Sequence, residues 1–153
     1  MLVKRREFLM RFLGLISVSA INSKNSLASE NGTRLDFEEL YAGYSAMGLK
    51  FSDKLLSLNG RRVTIRGFMA PPLKAEASFF ILTKQPVSLC PFCDSDADWP
   101  DDIILVRLDK DQPFVQNNRL IQVSGILQVG SLTDEETGFV SLVRLVQAGF
   151  EVL

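Results

Sequence analysis

Cys90 and Cys93 are the only thiols in a chain of 153 residues, and two residues separate them. A C-x-x-C pair can close a small disulfide, exchange electrons as a dithiol, or offer two soft ligands to a metal. The surrounding stretch, residues 86–102, reads P-V-S-L-C-P-F-C-D-S-D-A-D-W-P-D-D. It carries the single tryptophan, Trp99, three of the six prolines and five of the eighteen acidic residues. Unusual chemistry is expected to concentrate in this loop.

Four readings of the loop stand side by side. A Cys90–Cys93 disulfide is permitted in an oxidising compartment. Closing four residues stabilises a chain by about 2 kcal/mol at most, so such a bridge shapes the loop rather than holding the domain together. A redox-active dithiol is the second reading, with Cys90 as the attacking thiol. Cys-Pro-Phe-Cys is similar to the glutaredoxin active site, whose second cysteine runs into a helix that favours the thiolate. Here Asp94, Asp96, Asp98 and Pro100 follow instead, and they oppose both a helix and a thiolate. The third reading is a zinc or copper site in which Asp94, Asp96 or Asp98 joins Cys90 and Cys93. An EF-hand calcium loop is excluded, because Trp99 stands where glycine is needed and Leu105 where the bidentate glutamate belongs. The fourth is a partner-binding loop with Phe92 and Trp99, where exposed, as aromatic anchors, the alternative for Trp99 being that it folds back over an open barrel end.

The chain has no histidine. That removes the commonest general base, the commonest zinc ligand and every Ser-His or Cys-His arrangement. No glycine-rich phosphate loop or positioned nucleophile–base pair is present. No catalytic residue and no cofactor is therefore assigned, and binding is expected rather than catalysis. Arg61, Arg62 and Arg66 read as a solvated strand face. Asp134, Glu135 and Glu136 read as a solvated hairpin tip. Lys74 and Lys84 are placed to pair with the carboxylates of the cysteine loop.

The N-terminus reads as an address rather than as part of the fold. Arg5 and Arg6 precede Glu7 and then Phe8 and Leu9, the twin-arginine export pattern. A moderately apolar stretch follows at residues 12–21, and Ser26-Leu27-Ala28 supplies small residues for cleavage after Ala28. The expected mature protein, residues 29–153, keeps twelve basic and seventeen acidic residues, a net charge of −5. An acidic exported domain is a poor ligand for nucleic acid. The expected location is the periplasm, with contact at the inner membrane peripheral at most.

These residues need a scaffold, and the remaining sequence supplies one mainly of strands. Residues 29–35 read as a flexible leader, and 36–153 as a single domain. From Asp36 the spacing of Phe37, Leu40, Tyr41 and Tyr44 predicts a helix that stops at Gly48, with Asp36 and Glu39 as a capping box. Residues 51–58 fit a strand or a helix end, with Leu55, Leu56 and Leu58 facing inward. Asn59-Gly60 signals a turn. Strands are predicted at 62–68, 79–82, 103–108, 120–129 and 139–146, with 150–153 extending the last. Gly67 and Gly125 lie mid-strand, where a small barrel bends or bulges. The expected architecture is mainly β: a small OB-like five-stranded barrel with an N-terminal helix, or alternatively a small β-sandwich.

Three stretches carry a family resemblance. They are L-N-G-R-R-V-T-I-R-G-F-M-A-P-P-L-K-A-E from Leu58, F-F-I-L-T-K-Q-P-V-S-L-C-P-F-C-D-S-D-A-D-W-P-D-D-I from Phe79, and T-G-F-V-S-L-V-R-L from Thr137. With the signal they span nearly the whole chain. The chain resembles a family of uncharacterised, Tat-exported, OB-like periplasmic proteins often encoded beside macrolide-exporter-type ABC transporters. The resemblance implies an accessory role to an ABC transport system, and neighbouring zinc-responsive genes add weight to a metal. The expected function is a non-enzymatic periplasmic binding or accessory protein that uses the Cys90–Cys93 loop as its contact surface. Thiol–disulfide exchange and zinc or copper carriage remain the alternatives.

Overall fold

A computed structural model describes residues 32–46, 48–71, 79–88, 99–135 and 137–153. The export signature, with Arg5, Arg6, Phe8, Leu9 and Ala28, lies outside them. So does the heart of the cysteine loop, residues 89–98. Among the described residues no helix is long and apolar enough to cross a membrane.

The fold is mainly β. In chain order, β1 is Thr33–Arg34, β2 Tyr41–Ser45, β3 Gly48–Phe51, α1 Asp53–Ser57, β4 Arg62–Met69, β5 Phe79–Thr83, β6 Ile103–Leu108, β7 Leu120–Thr133 and β8 Val140–Val152. β2 and β3 form a separate hairpin, and the other six strands form one mixed sheet in the order β1-β4-β5-β6-β8-β7. β7 also pairs with β4, from Arg62↔Ile126 to Phe68↔Leu120. The hydrogen-bonded ladder therefore returns to β4. β6 and β8 run parallel, with Leu105 opposite Arg144. The remaining contacts within this ring of five are antiparallel.

Alternation along the strands explains how the ring is filled. On β4 the side chains of Val63 and Ile65 are buried while Arg62 and Arg66 are exposed. Register carries that inner face around to Val123, Leu82, Ile104, Val106 and Leu145, none more than 1% exposed. Gly67 belongs to the same face for a steric reason. A Cβ there would sit 2.6 Å from the Thr83 carbonyl oxygen and 3.0 Å from Leu82 Cγ. The irregularity expected at a mid-strand glycine is seen at Gly125, where the β7–β8 register shifts between Ser124 and Ile126; β4 runs through Gly67 in unbroken register with β7.

β5 and β6 are buried on both faces, which their unbroken apolar runs encode. Phe79, Ile81, Ile103 and Leu105 point away from the inner face and remain buried. Phe139 packs against Phe79 with the rings tilted and 5.7 Å between centroids, and Trp99 meets Phe139 edge-on at 6.2 Å. A second apolar layer thus lies over this side of the sheet.

Several expectations fail. The helix from Asp36 is a single 3-10 turn, Phe37–Glu39, followed by the β2–β3 hairpin. The cap forms as expected in one half, because Asp36 N–H donates to the Glu39 carboxylate at 3.0 Å. The helix cannot continue past Gly43, whose φ of +132° is foreign to an α-helix. Tyr41 instead stacks on Phe51 across the hairpin, and Tyr44 is 76% exposed. In the next segment Leu55 and Leu58 are buried, but Leu56 lies on the open side of α1 and is half exposed. The segment read as a flexible leader is partly structural. β1 pairs parallel with β4, Leu35 N–H donates to the Thr64 carbonyl at 2.9 Å, and Leu35 is fully buried. β7 and β8 also run longer than expected, β7 passing through a register shift between Val129 and Leu132.

Candidate functional site

The described residues hold the two legs of the cysteine loop. The entering leg leaves β5 at Thr83, whose hydroxyl donates to the Gln85 carbonyl at 2.6 Å and lies 3.2 Å from the Phe68 carbonyl, a second acceptor for the same hydrogen. Lys84 N–H donates to the Asp102 carbonyl at 3.0 Å, which brings the two legs together at the base. Further out, Asn117 Nδ2 donates to the Val87 carbonyl at 2.7 Å. Asn117 comes from the β6–β7 connection, so a second segment of chain restrains the entering leg.

The returning leg is fixed by Trp99. Its side chain is 4% exposed, packed on Phe139, and its indole N–H donates to the Tyr41 hydroxyl at 2.9 Å. Of the two readings of Trp99, an exposed anchor for a partner and a ring folded back on the barrel, the anchor is the one that burial does not support. Burial of a large ring with a satisfied N–H makes it a structural post instead. Burial pushes the Tyr41 hydroxyl well above the ordinary tyrosine range, opposed only in part by the Trp99 hydrogen bond. Tyr41 thus stays protonated and neutral at physiological pH.

Beside this post lies a cleft of about 290 Å³ between Phe37, Glu38, Tyr41, Lys84, Asp101 and Asp102. Lys84 Nζ pairs with Glu38 Oε1 at 2.8 Å. Its expected partners were carboxylates of the loop. Among the described residues its ion pair is with the 3-10 turn, a contact that lowers the Glu38 pKa and is the main cause of the raised Lys84 pKa, to which the loop carboxylates of Asp101 and Asp102 add; Asp94, Asp96 and Asp98 lie outside the described residues. Both ends of the pair are exposed, so its role is positional.

Two polar residues escaped sequence reading. Arg144 is 8% exposed and donates to the Gly130 carbonyl at 2.7 Å and the Ser141 carbonyl at 2.9 Å. Burial lowers its pKa. Nothing in an isolated strand pattern marks one arginine for burial. Asp134, expected as part of a solvated tip, organises the β7–β8 turn. It accepts from Thr137 N–H and hydroxyl at 2.9 and 2.8 Å and pairs with Arg107 at 2.5 Å. Burial works against its charge, but the Thr137 and Arg107 contacts outweigh it and hold the carboxyl below its usual range. The D-x-x-T spacing was the available signal.

Cys90, Cys93, Phe92, Asp94, Asp96 and Asp98 lie outside the described residues. Among the described residues no cluster of three or more metal-ligating side chains occurs. The frame defined here is thus an anchored base for the loop, with a charged cleft on the Tyr41 side.

No family model and no curated protein matches the chain. Among solved structures, the fold is similar to the crystal structure of a DUF3299 family protein from Pseudomonas aeruginosa PAO1. The TM-score is 0.53 at 14% identity, covering 78% of this chain and 95% of that one. The likeness concerns the fold.

Proposed function

We propose that this chain is a non-enzymatic, exported binding or accessory protein that presents the Cys90–Cys93 loop from a small OB-like barrel. The barrel reading is supported by the strand ring, in which β4, β5, β6, β8 and β7 pair in turn and β7 returns to β4. That order, with one parallel contact between β6 and β8, is the arrangement expected of a five-stranded Greek-key OB barrel. The periplasm and the twin-arginine route follow from Arg5, Arg6, Phe8, Leu9 and Ala28. The partner class, a component of an ABC transport system or its cargo, follows from the sequence resemblance.

The observation that carries the loop's role is its mounting. Trp99 is held by Tyr41 on one leg, and Val87 by Asn117 on the other. Loops that act as contact surfaces gain affinity when their ends are fixed beforehand, because less ordering remains to be done on binding. Phe92 is the anchor in this reading, and Trp99 supports the loop that carries it. The outer side of β5 and β6, where OB barrels commonly take ligands, is covered here by Phe139 and Trp99. That cover favours the loop over the sheet as the working surface.

The test is affinity purification of the tagged protein from the envelope of its native host. An ABC transporter component is expected with the wild type and is lost with Phe92→Ala. Recovery of no such component, together with insulin-disulfide turnover dependent on Cys90, would replace this reading with thiol–disulfide exchange. One zinc or copper ion retained through dialysis and lost in Cys90→Ser would replace it with metal carriage. Intact mass of the same material reports cleavage after Ala28 and the two-proton loss of a Cys90–Cys93 disulfide.

A further inference from the structure

A second candidate site lies on β4, β7 and β8, independent of the cysteine loop. The ring exposes its outer face here, and register places residues on it in rows. Thr64, Ser124 and Gly149 form one row. Their small side chains floor a trough of about 380 Å³. The next row is Arg66, Gln122 and Glu151, linked across three strands. Arg66 Nε donates to Gln122 Oε1 at 3.0 Å, and Gln122 Nε2 donates to Glu151 Oε1 at 2.9 Å.

The other wall is Gln112, from the β6–β7 connection. Its Nε2 donates to the Phe150 carbonyl at 3.1 Å, and its Oε1 accepts from the Phe150 N–H at 3.0 Å. Gln112 and Gln122 are therefore each pinned through one amide oxygen contact and one amide nitrogen contact. A carboxamide has two donor hydrogens and two acceptor lone pairs. Among the described residues each glutamine keeps one of each unused, and both line the trough.

The ends of the trough carry opposite charge. Arg62 lines it and makes no ion pair among the described residues. Glu151 lines it toward the ladder and, among the described residues, has no basic partner in an ion pair. Arg62 pairs with Ile126 and Glu151 with Gln122, four positions apart along β7. At about 3.3 Å per residue that offset is roughly 13 Å along the strands, with a further roughly 10 Å across them from β4 to β8, the scale of a short extended peptide.

We propose that this trough binds a short zwitterionic peptide, its carboxylate at Arg62 and its amine at Glu151. Gln112 and Gln122 read its backbone amides. Fixed amides lose little entropy on binding, and guanidinium is the group best suited to a carboxylate end. Free peptides and the exposed ends of larger chains share this chemistry. A free carboxylate and a free amine within one short ligand separate the first from the second.

Nuclear magnetic resonance titration of the exported protein with trialanine tests the proposal. Shifts are expected at residues 62–64, 122–124 and 149–151, with affinity at least tenfold weaker for Arg62→Ala and for Glu151→Ala at unchanged melting temperature. N-acetyl-trialanine amide, with both ends blocked, is expected to bind at least tenfold more weakly than trialanine. Three results overturn the proposal: no shift in this region at millimolar trialanine, equal binding of the blocked peptide, or equal binding of maltotriose. The cysteine-loop reading stands or falls separately, because no residue of that loop enters the experiment.

Discussion

The Trp99 indole donates to the Tyr41 hydroxyl at 2.9 Å and joins positions 58 apart in sequence. One end of this bond closes the cysteine loop, and the other belongs to the β2–β3 hairpin. Replacing Tyr41 with Phe leaves a buried N–H without its acceptor and is expected to cost about 1–3 kcal/mol. Trp99→Ala removes the packing on Phe139 as well and is expected to cost about 3–5 kcal/mol. Urea unfolding checks both, and the single tryptophan makes wild-type fluorescence a direct report on this contact.

Tyr41 also sets an alkaline limit. Burial, the main cause, raises its folded pKa above that of the unfolded chain. The protonated form is therefore favoured by folding. Its contribution is fully present below the unfolded value of about 10 and is lost as pH rises through the folded value. Unfolding midpoints in urea are expected to fall above about pH 10, and Tyr41→Phe should flatten that fall.

Asp134 sets the opposite limit. Its folded pKa is depressed by Thr137 and Arg107 against the effect of burial. The charge therefore contributes stability above the unfolded value of about 4, and that contribution is lost as pH falls through the folded value. Asp134→Ala is expected to cost about 1–2 kcal/mol at pH 7, with the gap from wild type narrowing at pH 3. An undiminished gap at pH 3 would assign the effect to packing instead.

Gly67 tests the close approach of β4 to β5. A methyl group there meets backbone, not a flexible side chain, at 2.6 Å. Gly67→Ala is expected to destabilise by about 1–3 kcal/mol or more, as overpacking does, and thermal unfolding would show it.

The cysteines make a quantitative prediction about stability. A four-residue bridge removes little freedom from the unfolded chain. Reduction of a Cys90–Cys93 disulfide is expected to lower stability by about 2 kcal/mol at most. A larger loss on titration with dithiothreitol would mean that the bridge holds more than its own loop.

The strands were legible because burial on one face writes a period of two, as at Val63 and Ile65 against Arg62 and Arg66. β5 and β6 were legible for another reason, as short apolar runs bounded by turns. The 36–48 segment misled because Phe37, Leu40, Tyr41 and Tyr44 satisfy helical spacing. What decided against the helix is tertiary: Tyr41 is held by Phe51 and Trp99, partners that local spacing cannot reveal. Trp99 was visible as the singular residue of its loop, yet its direction depends on Phe139, forty positions away. The trough was hidden for the same reason, since Gln122 and Glu151 become neighbours only through strand register and Gln112 only through its hydrogen bonds to the Phe150 backbone.

The parallel contact of β6 with β8 has a consequence for how the molecule is made. The pairs from Leu105↔Arg144 to Leu108↔Ala148 that complete the ring come from the C-terminal part of the chain. β7 can join β4 earlier, but β5 and β6 remain a flap on one edge until β8 arrives between them and β7. During synthesis, then, no nascent chain ending before Arg144 holds any part of that seam. Until β8 arrives, both sides of the gap present the unpaired edges of β6 and β7, two Val- and Ile-containing strands, and an incomplete chain is open there to pairing with other chains.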